Sequence, residues 1–593
     1  MATTAATDMG MAARVSRTSA RVFGVCGAVR HSARALHRVP FSLVAFASAL
    51  FGAGMNSGAF AQAVVPVGGV QSVERPSAQT GASTPDPGNV TDPRRPPRLA
   101  DNSADVNSEP AARRWRFEPR VALRQSWTDN IELRDDSFKK SDWVTEVTPG
   151  FSIVANGARL KGNLDYAITG FHYAKDSKRN DHQNALNAFG LFQAIDNFFF
   201  VEARGQISQQ LVSAFGSRPV SNTSDTGNRT ETRVFSLTPY VKGELGSVAV
   251  YDLRLDVAKS RTEDTQVSDG TIRTWTGKLE STSDLARFGW LVDFKDQRYD
   301  VKDGFDSESQ LARGSLIYHL SRSLKIFVRA GRESNNYSGN DRSETIHGAG
   351  VEWNPTGRTQ FSAENDKRFF GRSYRYAWRH RAPLSSWGIV MSKDTTNTID
   401  QLRRGSESTP FQRMFDLLAA EFPDPILRAE RARQALIDAG ISPDAGPDSA
   451  SLANQVFMDK RIEGSVALLG ARNTLTLSAF RSERSAVSQF VSGGEDFARA
   501  SRIRENGAAI NWSSTLGSLS SLVTSVVWNR IGGSGSATSP GTNQLAFNVQ
   551  LNRKLSPKTG TAVGYRHVRF DSDGTATEDY RENAIFAMIE HRF

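Results

Sequence analysis

The chain contains one cysteine, Cys26, and it lies within the first 63 residues. A chain processed beyond that point has no disulfide, no thiol nucleophile and no cysteine metal ligand, which suits an exported protein. Cys26 follows Val25 rather than the small residue of a lipoprotein signal, so lipidation is not expected. The nine histidines form no HExxH pair and no His-x-His site, and there is no phosphate-binding Walker loop and no serine elbow. No catalytic residue, metal site or cofactor is therefore expected. Nor does any apolar helix of spanning length follow the N-terminal region.

Charge of one sign is less abundant than the total suggests. The formal net charge is +10, but Arg14, Arg17, Arg21, Arg30, Arg34 and Arg38 stand against Asp8 alone in the first 63 residues. Half of the excess is leader. Elsewhere basic residues are interspersed with acids through strand-like segments, without a Lys/Arg run, so nucleic acid is not expected as a partner. The apolar fraction of 38% and the mean hydropathy of −0.43 suit either a water-soluble protein or a porin-like barrel, half of whose strand residues face water.

The N-terminal segment carries export features. An arginine-rich start, the apolar core VPFSLVAFASALFGAG and the small-x-small triplet Ala61-Gln62-Ala63 make residues 1–63 an expected signal peptide, cleaved after Ala63. The alternative is a membrane anchor, which Gly, Ser and Asn interruptions of a short core disfavour. The arginine-rich part is long, which is compatible with a downstream translation start. Residues 64–113, rich in Pro, Ser, Asp and Gly, are expected to be a disordered periplasmic linker. Folding into a lumen is the alternative for this segment.

From residue 114 to 593 the pattern is segments of roughly ten residues with period-two alternation. Leu545, Phe547, Val549 and Leu551 oppose Ala546, Asn548, Gln550 and Asn552. The connections alternate in length. Asn156-Gly157, Asp196-Asn197, Gly246-Ser247, the region of Ser283-Asp284, Ser321-Arg322, Ala471-Arg472, Leu516-Gly517 and Pro557-Lys558 are short. The stretches 128–142, 212–231, 333–343 and 488–500 are among the long ones. That phase is the signature of an outer-membrane barrel, with tight turns on the periplasmic side and long loops outside. The fold expected is all-β: a transmembrane antiparallel β-barrel of about 22 strands, with 20 and 24 as the bounds, carrying a small two-helix insertion. Its partners are then outer-membrane lipid and the barrel-assembly machinery of a Gram-negative bacterium.

Individual strands show what each face wants. In SYRYAWRHR, Tyr374, Tyr376 and Trp378 share one face, expected toward lipid, and Arg375, Arg379 and Arg381 share the other, expected to line the lumen. Asp459, Arg461 and Glu463 alternate in the same way, either to select solutes or because lipid excludes charge. At the C-terminus Ile585, Ile589, His591 and Phe593 lie on one face. A terminal phenylalanine there resembles the signal read by the barrel-assembly machinery, with His591 in a place usually aromatic or aliphatic.

Between two strands lies a helical pattern, residues 395–455. Thr409-Pro410 and Asp424-Pro425 mark two helix starts and Gly440 a stop. The pair is expected at the extracellular mouth, as a space-filling loop or as a gate. Together with Trp127-Thr128-Asp129-Asn130-Ile131, Val147-Thr148-Pro149-Gly150 and FDLLAAEFPDPILRAERARQALIDAGI, this arrangement resembles a family of PEP-CTERM system-associated outer-membrane proteins encoded beside exopolysaccharide biosynthesis genes. The resemblance implies a role with exopolysaccharide secretion or PEP-CTERM protein sorting, as conduit or structural partner, with exopolysaccharide or its export components as partners. It supplies no catalytic residues. The alternatives are a general porin-like diffusion channel and a surface hydrolase using rim residues such as His347 or His380.

Overall fold

The computed structural model describes residues 115–404 except 225, 264–267, 283–286 and 303, together with 452–453, 455–487, 496–535, 540–573 and 578–593. Within them the chain forms 22 antiparallel strands, β1 (Trp115–Thr128) to β22 (Tyr580–Arg592), each paired with the next in sequence. β22 then pairs with β1 from Arg120↔Arg592 to Thr128↔Ala584. The sheet is a closed barrel, as its alternating sequence requires.

The strands divide into two faces because successive side chains point to opposite sides. Trp290, Leu316, Val328 and Ala349 stand in line across four strands, and Trp387, Val466, Leu477 and Ile510 across four more. The large apolar residues of these lines are on the outer surface, with Leu316 68% and Val328 58% exposed. The opposite face carries Ser, Thr, Asn, Gln and paired charges. A closed sheet with an apolar outer wall satisfies its backbone within the ring and places lipid-compatible side chains outside, which is the architecture of the Gram-negative outer membrane.

The connections keep most of the expected phase. Residues 157–159, 196–198, 246–248, 322–323, 470–472 and 557–558 make short turns at one end. Asn197 (φ +58°) and Gly246 (φ +57°) adopt the left-handed conformation that such reversals need. Ser283-Asp284 lies outside the described residues. One loop-side connection departs from the alternation: β13 (Thr359–Arg368) and β14 (Gly371–Ala382) are joined by Phe369-Phe370 alone, with Gly371 at φ +96°. The glycine accepts a backbone angle closed to other residues, and a tight turn stands where length alternation predicts a long loop.

The insertion connects β15 (Ser385–Thr396) to β16 (Phe457–Leu469) and opens with a seven-residue helix, Thr398–Arg404. The two amphipathic helices expected to begin at Thr409 and Asp424 lie outside the described residues, as do residues 1–114. A four-residue helix, Asp496–Arg499, precedes β18 (Arg502–Gly517). Neither short helix follows from the apolar spacing.

Inside and outside are separable by one pair of substitutions. Ile510 faces out and its neighbour Asn511 faces in. Ile510→Arg places a charge near the middle of the outer wall and is expected to lower stability by about 2–4 kcal/mol in lipid vesicles. Asn511→Arg is expected to stay within about 0.5 kcal/mol. Urea unfolding of the reconstituted barrel, followed by tryptophan fluorescence, measures both.

Candidate functional site: the bore and its extracellular mouth

The inner wall carries charge, and the charges pair along the wall. On β9 (Phe288–Val301), β10 (Ser307–Ser321), β11 (Leu324–Asn335) and β13 they form a belt. Arg313 bonds Asp293 at 2.9 Å and approaches Asp366 at 3.5 Å; Arg329 reaches Glu364 at 3.0 Å and Asp366 at 3.3 Å. In register beyond Glu364 stands Arg375. Arg120 and Asp165 form a bidentate pair elsewhere on the same face, at 2.8 and 2.9 Å. Each contact joins nearby strands, so the cations are held against the wall.

The residues expected at the site fall as follows. Arg375, Arg379 and Arg381 share the inner face of β14, in register with Glu364, Gln360 and Ser386 respectively. Tyr374 and Tyr376 stack on the outer face at 5.3 Å, and Trp378 stacks on His380 at 6.1 Å, so the rings form a ladder along one strand. Asp459, Arg461 and Glu463 share the inner face of β16. Asp459 accepts from Ser482 Oγ at 2.8 Å; Arg461 bonds Glu463 at 3.0 Å and lies 4.5 Å over Phe480. Ile585 and Ile589 face out, the His591 ring meets Thr559 Oγ1 at 2.9 Å, and Phe593 N–H donates to the Pro119 carbonyl at 3.0 Å. His347 and His380 are on the outer face, His380 bonded to Thr359 Oγ1 at 2.9 Å.

Burial of the inner face changes along the strands. On β6 (Arg229–Leu245), Thr230, Thr232, Val234, Ser236, Thr238 and Tyr240 are buried, Lys242 is half-buried and Glu244 is exposed. On β22, Tyr580, Glu582, Ala584 and Phe586 are buried, and Met588, Glu590 and Arg592 are half-buried. In both strands the buried end is the long-loop end. The cause is that loops fold inward.

Several connections do this among the described residues. Between β5 (Phe199–Leu211) and β6, Arg218 reaches across the β1/β22 seam. Its guanidinium bonds Glu505 on β18 at 3.2 Å and Asn529 on β19 (Ser520–Ser534) at 3.0 Å. Its carbonyl accepts from Gln544 on β20 (Gly541–Ser556) at 2.6 Å and from the Tyr580 hydroxyl at 3.0 Å. The same loop is held again at Asp496, whose carboxylate accepts from Ser213 Oγ at 2.5 Å and Ala214 N–H at 2.7 Å. Beside this contact Phe215, Phe457, Phe497 and Ile531 form an apolar cluster. From the connection after β1, Leu133 packs with Ala546, Val568, Phe570 and Tyr580.

The described ends of the insertion are a further element. Ile399, Leu402, Leu452 and Val456 pack against Val234, Ala258, Ile272 and Tyr299 of the inner wall. Asp400 accepts from Gln297 Nε2 at 3.1 Å, and the Thr398 hydroxyl exchanges hydrogen bonds with Ala453 O at 2.8 Å and Ala453 N at 2.9 Å. Tyr337 joins this cluster from the β11–β12 loop, and burial pushes its phenol up to about 12. It stays protonated and uncharged at any physiological pH.

Sequence reasoning left open whether the insertion or the linker enters the lumen; it did not identify Arg218 or Asp496. The available signal was weak: a polar loop with an arginine, and a lone aspartate before a one-turn helix. Their partners are hundreds of residues away in sequence, so no local pattern encodes the contact.

The Arg218–Glu505 pair is nearly fully buried, with side-chain exposures of 9% and 6%. Removing one partner leaves the other charge without a counterion in a dry contact. Arg218→Ala is therefore expected to cost roughly 3 kcal/mol and to admit protease into residues 212–228, while Arg218→Ala/Glu505→Gln recovers part of the loss. Thermal unfolding read from heat-modifiable gel mobility, with limited proteolysis of the folded barrel, checks both.

Among known proteins, no protein-family model matches the chain and no curated protein does. Solved structures with a similar course include the FrpB iron transporter from Neisseria meningitidis, at 11% identity and a TM-score of 0.42, covering 80% of this chain and 82% of that one. The siderophore receptor PirA from Pseudomonas aeruginosa is matched at 10% identity and a TM-score of 0.36, over 81% and 80%. OpdK from the same species, solved with vanillate, is matched at 9% identity and a TM-score of 0.30, over 80% and 99%. What stands on the geometry itself is that this chain is an outer-membrane β-barrel.

Proposed function

We propose that the protein is an outer-membrane channel for small hydrophilic solutes, porin-like in its wall and narrowed at its outer mouth by its own loops. The observation that carries this reading is the contrast between the two ends of the inner face. Toward the short turns, side chains such as Lys242, Glu244, Glu590 and Arg592 are half-buried or exposed, as on a wetted wall. Toward the long loops, the inner wall is covered by Arg218, Phe215, Leu133 and the ends of the insertion.

A ring of 22 strands encloses a lumen that needs filling or narrowing if it is not to leak. Loops held by a few ion pairs and hydrogen bonds narrow it without sealing it permanently. The covered mouth favours this channel over a standing conduit for a polysaccharide chain. A part in exopolysaccharide secretion or surface-protein sorting rests on the sequence resemblance, and the histidines considered for a surface hydrolase, His347 and His380, face outward from the wall, His380 bonded to Thr359.

Planar-bilayer recording tests the proposal. Wild-type protein is expected to give small, discrete conductance steps, and Asp496→Ala, which releases Ser213 and Ala214, steps at least twofold larger. Absence of ion conductance in both proteins, each verified as folded, overturns the channel reading.

A further inference from the structure

The strands are longer than a membrane crossing needs. A tilted strand spans the bilayer with about 9–11 residues, whereas β6 has 17 and β18 has 16. On the loop side the surplus carries outward charge, and that charge is unevenly distributed around the barrel.

Over β6–β9 outward like charges also meet in register, Arg233 opposite Arg261 and Arg273 opposite Arg298, but acids are interleaved with them. Arg233 bonds Glu263 at 2.6 Å, Arg273 bonds Asp300 at 2.8 Å and Arg298 lies 3.3 Å from Glu308. Over β13–β19 the outward face holds a single carboxylate, Glu483, already bracketed by Arg502 at 3.4 Å and Arg504 at 2.9 Å. Six further cations share that face: Lys367, Arg372, Lys393, Lys460, Arg481 and Arg530. None forms an ion pair among the described residues. Lys367 stands directly opposite Arg372, and Lys393 directly opposite Lys460, which on its other side is in register with Glu483. Like charges in direct cross-strand register repel, at a cost that an interposed anion removes.

Directly below, on the side of the short turns, the same face is apolar. Met391 and Ile389 continue β15 beneath Lys393, Ile462 lies beside Lys460, and Ala479 and Leu477 lie below Arg481. An amphiphile with acyl chains on this wall would present its headgroup to the cations. With the long loops outside, that level is the headgroup region of the outer leaflet.

We propose that the outward face of β13–β19 is a binding surface for the phosphorylated glycolipid of the outer leaflet. Its phosphates bridge the Lys367/Arg372 and Lys393/Lys460 pairs and reach Arg481 and Arg530, while its acyl chains lie on the apolar rows beneath. Arginine and lysine suit phosphate oxygens at an interface, where charge-assisted contacts are stronger than in bulk water. This inference rests on the outer-membrane placement and is independent of whether the bore conducts.

The test uses the full barrel in nanodiscs containing a diphosphorylated lipid A-type glycolipid, with retained lipid counted by native mass spectrometry. Wild-type protein is expected to retain the glycolipid, with at least tenfold less retention for the quadruple variant Lys393→Gln/Lys460→Gln/Arg481→Gln/Arg530→Gln, for the dephosphorylated glycolipid, or in molar salt. The control Arg233→Gln/Arg273→Gln/Arg298→Gln, on β6–β9, is expected to retain it. The quadruple variant removes the Lys393–Lys460 repulsion together with one cation beside Glu483, so its folding is verified by heat-modifiable gel mobility, and the dephosphorylation and salt arms use wild-type protein alone. Equal retention by wild type and quadruple variant, indifference to the phosphates, or full competition by millimolar inorganic phosphate overturns the proposal, the last by assigning the cations to a free anion.

Discussion

Closure of the sheet is the constraint on which the rest depends. In hydrocarbon a strand edge leaves N–H and C=O groups without partners, at several kcal/mol each, so the first and last strands must meet. They meet with side chains that reinforce the seam on both faces. Inside, Thr128 Oγ1 donates to Glu582 at 3.0 Å, Glu582 is neutralised by Arg566 at 2.8 Å, and Arg124 lies 4.1 Å over the Phe586 ring. Toward the outside, the Asp129 carboxylate accepts from Asn583 N–H at 2.7 Å and Asn583 Nδ2 at 2.8 Å. All other strand pairs join neighbours in the chain, but this one is formed between the first and last strands, and specific polar contacts fix its register.

Once the ring is closed, its size creates the second problem. The wall alone would leave a wide wet hole, and the inner face is polar in consequence. Charges on such a face have two ways to be satisfied: by water, or by each other. Pairs along the wall, such as Arg313–Asp293 and Arg120–Asp165, keep long side chains from crossing the bore and retain a hydrated surface. Where loops enter, water is displaced, and the buried carboxylates there are closely partnered, although Ser224 Oγ, Thr226 Oγ1 and Gln401 Oε1 are buried without a hydrogen-bond partner among the described residues. Glu505 is reached by Arg218 and by Asn529 Nδ2 at 2.6 Å, and Glu333, only 2% exposed, is saturated by Arg368 and the Phe369 N–H.

The barrel was legible in the sequence because the information that specifies it is local. Alternation along Leu545–Asn552 sets two faces without reference to any partner, and the phase of short turns such as Asn156-Gly157 sets the side of the membrane. The strand number follows from counting those turns. What folds into the bore was not legible, because Arg218 with Tyr580 and Asp496 with Ser213 are contacts between distant segments whose residue types are unremarkable in isolation. The outward cations are intermediate. Lys393 and Lys460 are visible as polar breaks in apolar rows, but only the register places them face to face.

The one tight turn on the loop side shows how these levels act together. Phe369-Phe370 is too short to fold into the mouth, so the rim is low between β13 and β14, close to the insertion that begins after β15. Phe369 fills that gap: it packs against the cluster formed by Ile399, Leu402 and the inner wall, 5.8 Å from the Tyr337 ring. Its backbone is fixed there by Glu333, which also holds Arg368, while Arg368 reaches on to Asp394 near the end of β15. The base of the insertion is thus tied to the wall through a buried acid on β11. A long loop at that position would compete with the insertion for the same space, and the glycine that permits the sharp turn, Gly371, is what leaves the space free.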